Sequence, residues 1–285
     1  MIKLFTHVES APLAYQITPD SRGLMIGSCL ATELGERLLG GGANVVTNPQ
    51  GVLYNPLSIA RGVEIFKLGT QFTADDLMQR DGLWHSFAHH SSFSAPTKGE
   101  VLAKINGQPA APLDYIIITL GSAFVYFHQG LVVANCHKFP EAEFVRRRIS
   151  LAQTIDALNA VRRLYPEAYI LLTVSPIRHL RDGLADNSAS KATLRLACAE
   201  FCEQDPRSGY FPAYEIMMDE LRDYRFYADD LLHPSPTAVD IIFERLAASF
   251  ISPDTLLAIN NGLRRKKREG HRPITDKQTS DQILG

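Results

Sequence analysis

The stretch Ala228-Asp229-Asp230-Leu231-Leu232-His233-Pro234-Ser235 sets an aspartate, Asp230, three residues ahead of a histidine, His233, on the turn into a helical pattern. A carboxylate at that spacing can fix the imidazole tautomer and leave the other ring nitrogen to act as a base. Near the amino-terminal end, Gly27-Ser28-Cys29 follows a short apolar run and precedes a second helical pattern. A serine or cysteine there lies where unpaired helix N–H groups and the helix dipole favour a thiolate or a developing oxyanion. Gly51 and the turn Gly121-Ser122-Ala123 are placed to offer backbone N–H groups as an oxyanion hole. The chemistry such a set performs is nucleophilic acyl transfer.

The elements that must position these residues alternate between strand and helix. Gly23 to Ile26 reads as a buried strand, and Leu30, Leu34 and Leu38 mark a helix that Gly40-Gly41-Gly42 stops. A strand at 43–46 leads to the turn-rich Thr47-Asn48-Pro49-Gln50-Gly51, and a helix from Tyr54-Asn55-Pro56 runs to about Lys67. Residues 70–110, with Trp84, His85, His89 and His90, read as an irregular excursion containing a hairpin. The run 113–120 is apolar on both faces, as a central parallel strand should be. Beyond it the pattern gives a hairpin of 124–128 with 131–134, a helix over 149–164 and a buried strand over 169–174. A helix over 190–203, a short strand over 210–214 and a closing helix over 236–250 complete it. The expected fold class is α/β, a three-layer α/β/α sandwich around a mostly parallel sheet. In such sheets chemistry sits beyond the carboxyl ends of the strands, which selects loops 27–29, 47–51, 121–123, 175–179 and 228–233.

On these residues the chain resembles the GSCFA family. Gly27-Ser28-Cys29-Leu30-Ala31 looks like its signature, with Leu30 in place of the usual phenylalanine. Similar stretches are Asn48-Pro49 with Gly51, Tyr54-Asn55-Pro56, Thr119 to Ala123 with Val125-Tyr126, and Asn135-Cys136-His137-Lys138. Ser175-Pro176 with Arg178-His179, Ser190-Lys191, and Asp230 to Ser235 continue the match, which spans roughly residues 20–250. The family in turn resembles the SGNH (GDSL-like) hydrolases. That resemblance implies Gly27-Ser28-Cys29 as the nucleophile block, Gly51 as the oxyanion glycine, and Asp230 with His233 as the Asp-x-x-His block. It places Cys29 at the nucleophile position, or Ser28 if the turn is shifted by one residue. Where the family's relatives carry an oxyanion asparagine, this chain reads Gly121-Ser122-Ala123, leaving Asn135 or the Ser122 hydroxyl as substitutes. His137-Lys138 and Arg178-His179 are expected to line the pocket and hold a phosphate or carboxylate. Ser190-Lys191 reads as a helix N-cap region.

The implied activity is hydrolysis of an acyl ester, with a small-molecule or carbohydrate-linked acyl substrate. Transfer to a sugar hydroxyl from a thioester donor is the alternative, since cysteine at the nucleophile position also occurs in related capsule-polysaccharide enzymes. A degenerate fold used as a binding module is the other reading; the absent asparagine favours it and the retained Asp230 and His233 oppose it.

Composition bounds the rest. The 285 residues are 45% hydrophobic and 21% charged, a globular balance, and 29 Lys+Arg against 31 Asp+Glu give −2. A generally basic nucleic-acid-binding surface is therefore not indicated. The charge is uneven: residues 254–285 carry seven basic and four acidic residues, a net of +3, which leaves −5 for 1–253. The chain thus reads as a single domain over 1–253 followed by a basic, partly disordered polar tail over 254–285. No segment approaches the roughly 20 apolar residues of a membrane span, and no amino-terminal h-region stands out, so a cytoplasmic location is expected. Four cysteines are too few for a disulfide scaffold and fit a reducing compartment, with Cys198 and Cys202 assigned to the core. No carboxylate or cysteine completes His85, His89 and His90 as a zinc site, so neither metal nor other cofactor is expected.

Overall fold

The inner strands Arg22–Gly27, Tyr115–Leu120 and Tyr169–Val174 are short, almost wholly buried on both faces and linked through crossover helices, the pattern of parallel pairing. The computed structural model describes residues 6–10, 13–107 and 112–270, with side chains described as far as Arg265. In chain order its elements begin β1 (Arg22–Gly27), α1 (Cys29–Gly40), β2 (Asn44–Thr47), α2 (Pro56–Leu68), β3 (Leu77–Arg80), β4 (Leu83–Ser86), α3 (Lys98–Ile105) and β5 (Tyr115–Leu120). They continue with β6 (Phe124–His128), β7 (Leu131–Val133), β8 (Phe144–Arg148), α4 (Leu151–Leu164), β9 (Tyr169–Val174) and α5 (Leu184–Gln204). The last are β10 (Ser208–Tyr210), α6 (Ala213–Glu215), α7 (Pro236–Phe250) and α8 (Pro253–Gly270).

Five strands form the parallel sheet in the order β10-β9-β5-β1-β2. The order reverses between β1 and β5, so the crevice at their carboxyl ends is the switch point of the sheet. Alternation along β1 and β5 splits the core in two. Met25 and Ile117 face one cluster with Leu34 of α1, Ile242 of α7 and Ile259 of α8. Leu24, Ile26, Ile116 and Ile118 face another with Val63 of α2, Leu158 of α4 and Leu194 of α5. The three-layer sandwich of the sequence pattern is the fold observed.

Local signals account for the element ends. Asn55 caps α2, its Oδ1 accepting from Ser58 N at 2.9 Å, and Pro56 opens the first turn. Ser150 and Gln153 form a capping box on α4, and Ser235 caps α7 ahead of Pro236. The excursion at 70–107 contains the hairpin β3–β4, turned at Asp81-Gly82, and also α3, which the weak periodicity did not announce.

Four expectations change. Helix α5 starts at Leu184 rather than Ser190, because Gly183 at φ 77° opens it and the polar run 184–189 is helical. Ser190 and Lys191 are consequently buried interior helix residues, not a cap. The last strand is 208–210 rather than 210–214, since Pro212 ends it and Ala213 begins a helical turn. Strand β8, Phe-Val-Arg-Arg-Arg, pairs antiparallel with β6 although three arginines disguise it. Arg146 lies 3.9 Å over the Phe124 ring and Arg147 4.6 Å over Phe127, so the guanidinium groups cover that sheet's aromatics. Finally, the tail expected from 254 begins as α8, with Ile259 fully buried against Gly41 of the glycine cluster that stops α1. Residues 271–285 lie outside the described residues.

Because Ile259 belongs to the core, Ile259→Ala should cost about 2–4 kcal/mol in urea unfolding. A dispensable tail would show no change in the unfolding midpoint.

Candidate functional site

Cys29 is the first residue of α1, and its exposure is intermediate. The turn that delivers it is fixed by Gly27. Gly27 has φ 136°, and a Cβ there would lie 2.2 Å from the Thr119 carbonyl oxygen of β5. Asn48, after β2, holds the same turn from the other side: its Oδ1 accepts from Gly27 N at 2.8 Å while Nδ2 donates to Thr32 Oγ1 at 2.9 Å. Ser28 is buried and its backbone N donates to Thr119 O at 3.0 Å. Its hydroxyl shares a 2.9 Å hydrogen bond with Thr119 Oγ1. Of the two nucleophile candidates, the structure therefore ties Ser28 into the sheet and leaves Cys29 at the helix end. Ser28 makes no side-chain cap on α1, and its carbonyl accepts from Ala31 N at 2.8 Å.

The second component is the loop before α7. Asp230 Oδ1 accepts from Leu232 N at 2.9 Å and His233 N at 3.0 Å, and Oδ2 from His233 Nδ1 at 2.6 Å. These bonds, the backbone ones foremost, hold the Asp230 carboxyl down at about 2. The imidazole is thus fixed with Nδ1 as donor and Nε2 turned away from the carboxylate. This loop meets the one after β9 where Arg178 N donates to Leu232 O at 3.3 Å. Among the described residues no hydrogen bond joins His233 to Cys29.

The third component brings together Tyr54, His179 and Lys191, whose stretches the sequence offered but whose contacts it did not. The Tyr54 ring stands edge-on to His179 with centroids 5.7 Å apart. Lys191 is fully buried, with Nζ donating to Gly121 O and Ser175 O, both at 2.6 Å. Burial drives the Lys191 pKa down to about 7, the Cys29 charge opposing it; the two carbonyls also favour the ammonium. Burial pushes the Cys29 thiol up, with Tyr54 and Lys191 pulling it back and Glu33 adding to the rise. Cys29 rests as a thiol near neutral pH and needs a base to act. Desolvation likewise keeps His179 neutral, at about 4, with Lys191 and His233 both bearing on it, and its Nε2 is buried without a partner.

The sequence pattern of the GSCFA family matches residues 22–246. The chain belongs to the GSCFA family. No curated protein sequence matches it. Among solved structures it is similar to a Streptococcus pneumonia protein assigned as a platelet activating factor, at 13% identity and TM-score 0.43, covering 80% of this chain and 83% of that one. A Clostridium thermocellum family 3 carbohydrate esterase follows at 10% identity and TM-score 0.39, covering 84% and 98%. A Talaromyces cellulolyticus family 3 carbohydrate esterase has 12% identity and TM-score 0.37, covering 84% and 99%.

Set against this GSCFA chain's geometry, several expected donors are already spent. Gly51 N–H donates to Asn48 O at 2.7 Å, closing its own turn. Gly121 N and Ser122 N both donate to the Tyr54 carbonyl, at 2.8 and 2.9 Å, and Ala123 N donates to Ser190 Oγ at 2.7 Å. Ser122 Oγ is buried and accepts from Phe124 N at 3.1 Å. The 121–123 turn therefore positions Tyr54 rather than an oxyanion. Asn135 is used locally, Oδ1 accepting from His137 N at 2.8 Å. His137 packs on His85, ring centroids 4.6 Å apart, and its Nε2 lies 2.9 Å from Ser86 O, so it joins the β4 hairpin instead of lining the Cys29 site. Arg178 lies over the Tyr227 ring at 5.3 Å, beside the His233 loop. His85 and His89 pair through Nδ1 with the hydroxyls of Ser94 and Ser86, and His90 Nδ1 accepts from Ser92 N.

Burial holds His89, His137 and His179 neutral in the fold, each at about 4 against 6.5 when exposed. Between those values the unfolded chain binds more protons, so stability falls as pH drops from 6.5 toward 4. His137→Gln should make the loss of Tm between pH 7 and 4.5 smaller by about 2 °C. An equal loss in both proteins in thermal scans would contradict a neutral buried His137.

Proposed function

We propose that this protein hydrolyses acyl esters with Cys29 as nucleophile and His233 as base. The observation that carries the reading is the 2.6 Å bond between Asp230 Oδ2 and His233 Nδ1. It prepares Nε2 to accept a proton, on a loop bonded to the one after β9 through Arg178 N and Leu232 O. Membership of the GSCFA family, whose signature Gly27 to Ala31 resembles and includes this cysteine, supports the same assignment.

In the first half-reaction His233 Nε2 takes the Cys29 proton, and Sγ bonds to the acyl carbon while the carbonyl electron pair moves to oxygen. The α1 N-terminal N–H groups receive that charge. Collapse breaks the ester C–O bond, and the departing alkoxide takes the proton from His233. Water, deprotonated by the same nitrogen, then releases the acid and restores the thiol. Asp230 stays ionised throughout and stabilises the imidazolium. The imidazole closes on the thiol when substrate is bound, as catalytic hydrogen bonds commonly tighten in the loaded complex. Carbohydrate-linked acyl groups are the substrate class that the family resemblance suggests, in a compartment reducing enough to keep Cys29 a thiol.

Turnover of p-nitrophenyl esters and acetylated sugars, assayed with and without sugar acceptors, tests this. Cys29→Ala and His233→Ala should each lower kcat by about 10³-fold or more, while Ser28→Ala keeps most of it. Loss in Ser28→Ala with activity retained in Cys29→Ala would overturn the assignment.

A further inference from the structure

We infer that Arg178, held over Tyr227, is the binding residue for a carboxylate or phosphate on the alcohol half of the substrate. This rests on the Cys29–His233 reading above and names the class of ester it takes. The starting point is an arginine with no anion of its own.

The other half-buried arginines among the described residues are matched to carboxylates. Arg37 pairs with Asp240, Arg146 with Asp182, Arg162 with Asp205, Arg195 with Glu215 and Arg245 with Glu220. Arg80 lies 3.5 Å from Asp81. Arg178 is half-buried as well, yet among the described residues its guanidinium pairs with no carboxylate. What it lies against is the Tyr227 ring, 5.3 Å from Cζ. Asp230 of the facing loop does not supply the missing anion, being spent on Leu232 N, His233 N and His233 Nδ1.

Both the arginine and its aromatic support are bonded to the neighbours of the proposed base. Arg178 N donates to the carbonyl of Leu232, one residue before His233, at 3.3 Å. Tyr227 stands opposite Pro234, one residue after His233, in an antiparallel bridge. Ala228 N donating to His233 O at 2.8 Å and Ser235 N donating to Phe226 O at 2.7 Å flank that bridge.

A guanidinium over a ring keeps its edge N–H groups for acceptors. Those are the donors that grip a carboxylate or a phosphate through two parallel bonds. In the proposed reaction His233 hands its proton to the departing alkoxide, so the alcohol half of the ester passes this loop while the acyl group stays on Cys29. An anion on the alcohol half, held by Arg178, sets the ester oxygen toward Nε2. Arg178 itself makes and breaks no covalent bond.

The test compares three acetyl esters: acetylated glucuronate, acetylated glucose phosphate and acetylated glucose. The wild-type protein should turn over one of the anionic esters with kcat/KM about 10-fold or more above the neutral one. Arg178→Gln should remove that preference, through KM more than kcat, and Arg178→Lys should restore part of it. The anion whose preference falls further is the one the site takes. A merely structural Arg178 would lower all three esters in proportion and leave the ratio in place. A wild-type protein indifferent to substrate charge overturns the assignment without any variant. Calorimetric titration with glucuronate, glucose phosphate and glucose separates the site from the esterase reading. Anion binding lost in Arg178→Gln, in a protein that turns over no ester, supports the site and defeats the esterase. Absence of anion binding overturns the site whatever the ester assay gives.

Discussion

The arrangement depends on a lysine side chain buried where two parallel strands end. Leu120 pairs with Val174 in the β5–β9 ladder, so Gly121 and Ser175 are the first residues beyond it, and Lys191 Nζ closes the ladder by donating to both carbonyls. Among the described residues no carboxylate pairs with it. Taking an ammonium out of water costs several kcal/mol, and it persists only where hydrogen bonds replace the lost hydration. That requirement fixes the Gly121 carbonyl, and through the other side of the same turn the Gly121 and Ser122 N–H groups fix Tyr54. One buried lysine thus ties the ends of β5 and β9 to the turn that holds Tyr54.

A parallel sheet makes such a device necessary. Its carboxyl ends present carbonyls to a crevice, and loops that reach over it have few partners of their own. The loops here are bound to one another directly in three places. Asn48 reaches Gly27, Gly121 reaches Tyr54, and Arg178 reaches Leu232. The expected donors were spent in these bonds, so the 121–123 turn serves as scaffold. The ion pair between Arg146 and Asp182 adds a tie from β8 to the loop after β9.

What the chain disclosed follows from what is local. Asp230 and His233 are three residues apart and form their bond within one turn, so spacing was enough. Cys29 could be placed because a strand, a glycine and a helix are contiguous. Choosing it over Ser28 required Thr119, ninety-odd residues away, whose hydroxyl and carbonyl hold the serine. The roles of Lys191 and Tyr54 were invisible for the same reason: their partners lie just beyond the ends of other strands, and a lysine next to a serine reads as a helix start. The arginines of β8 and the charges of α8 misled in the opposite direction. Stems and guanidinium groups cover aromatic surface in the first, and a single buried face around Ile259 outweighs a basic run in the second.

The central claim is that Cys29 carries the acyl group. Mixing the protein with p-nitrophenyl acetate, quenching in acid within the first turnovers and mapping peptides by mass spectrometry tests it most directly. The account predicts one acetyl group, on Cys29, absent when His233 is replaced by alanine. Acetylation on Ser28, or release of nitrophenol with Cys29 never modified, would contradict it.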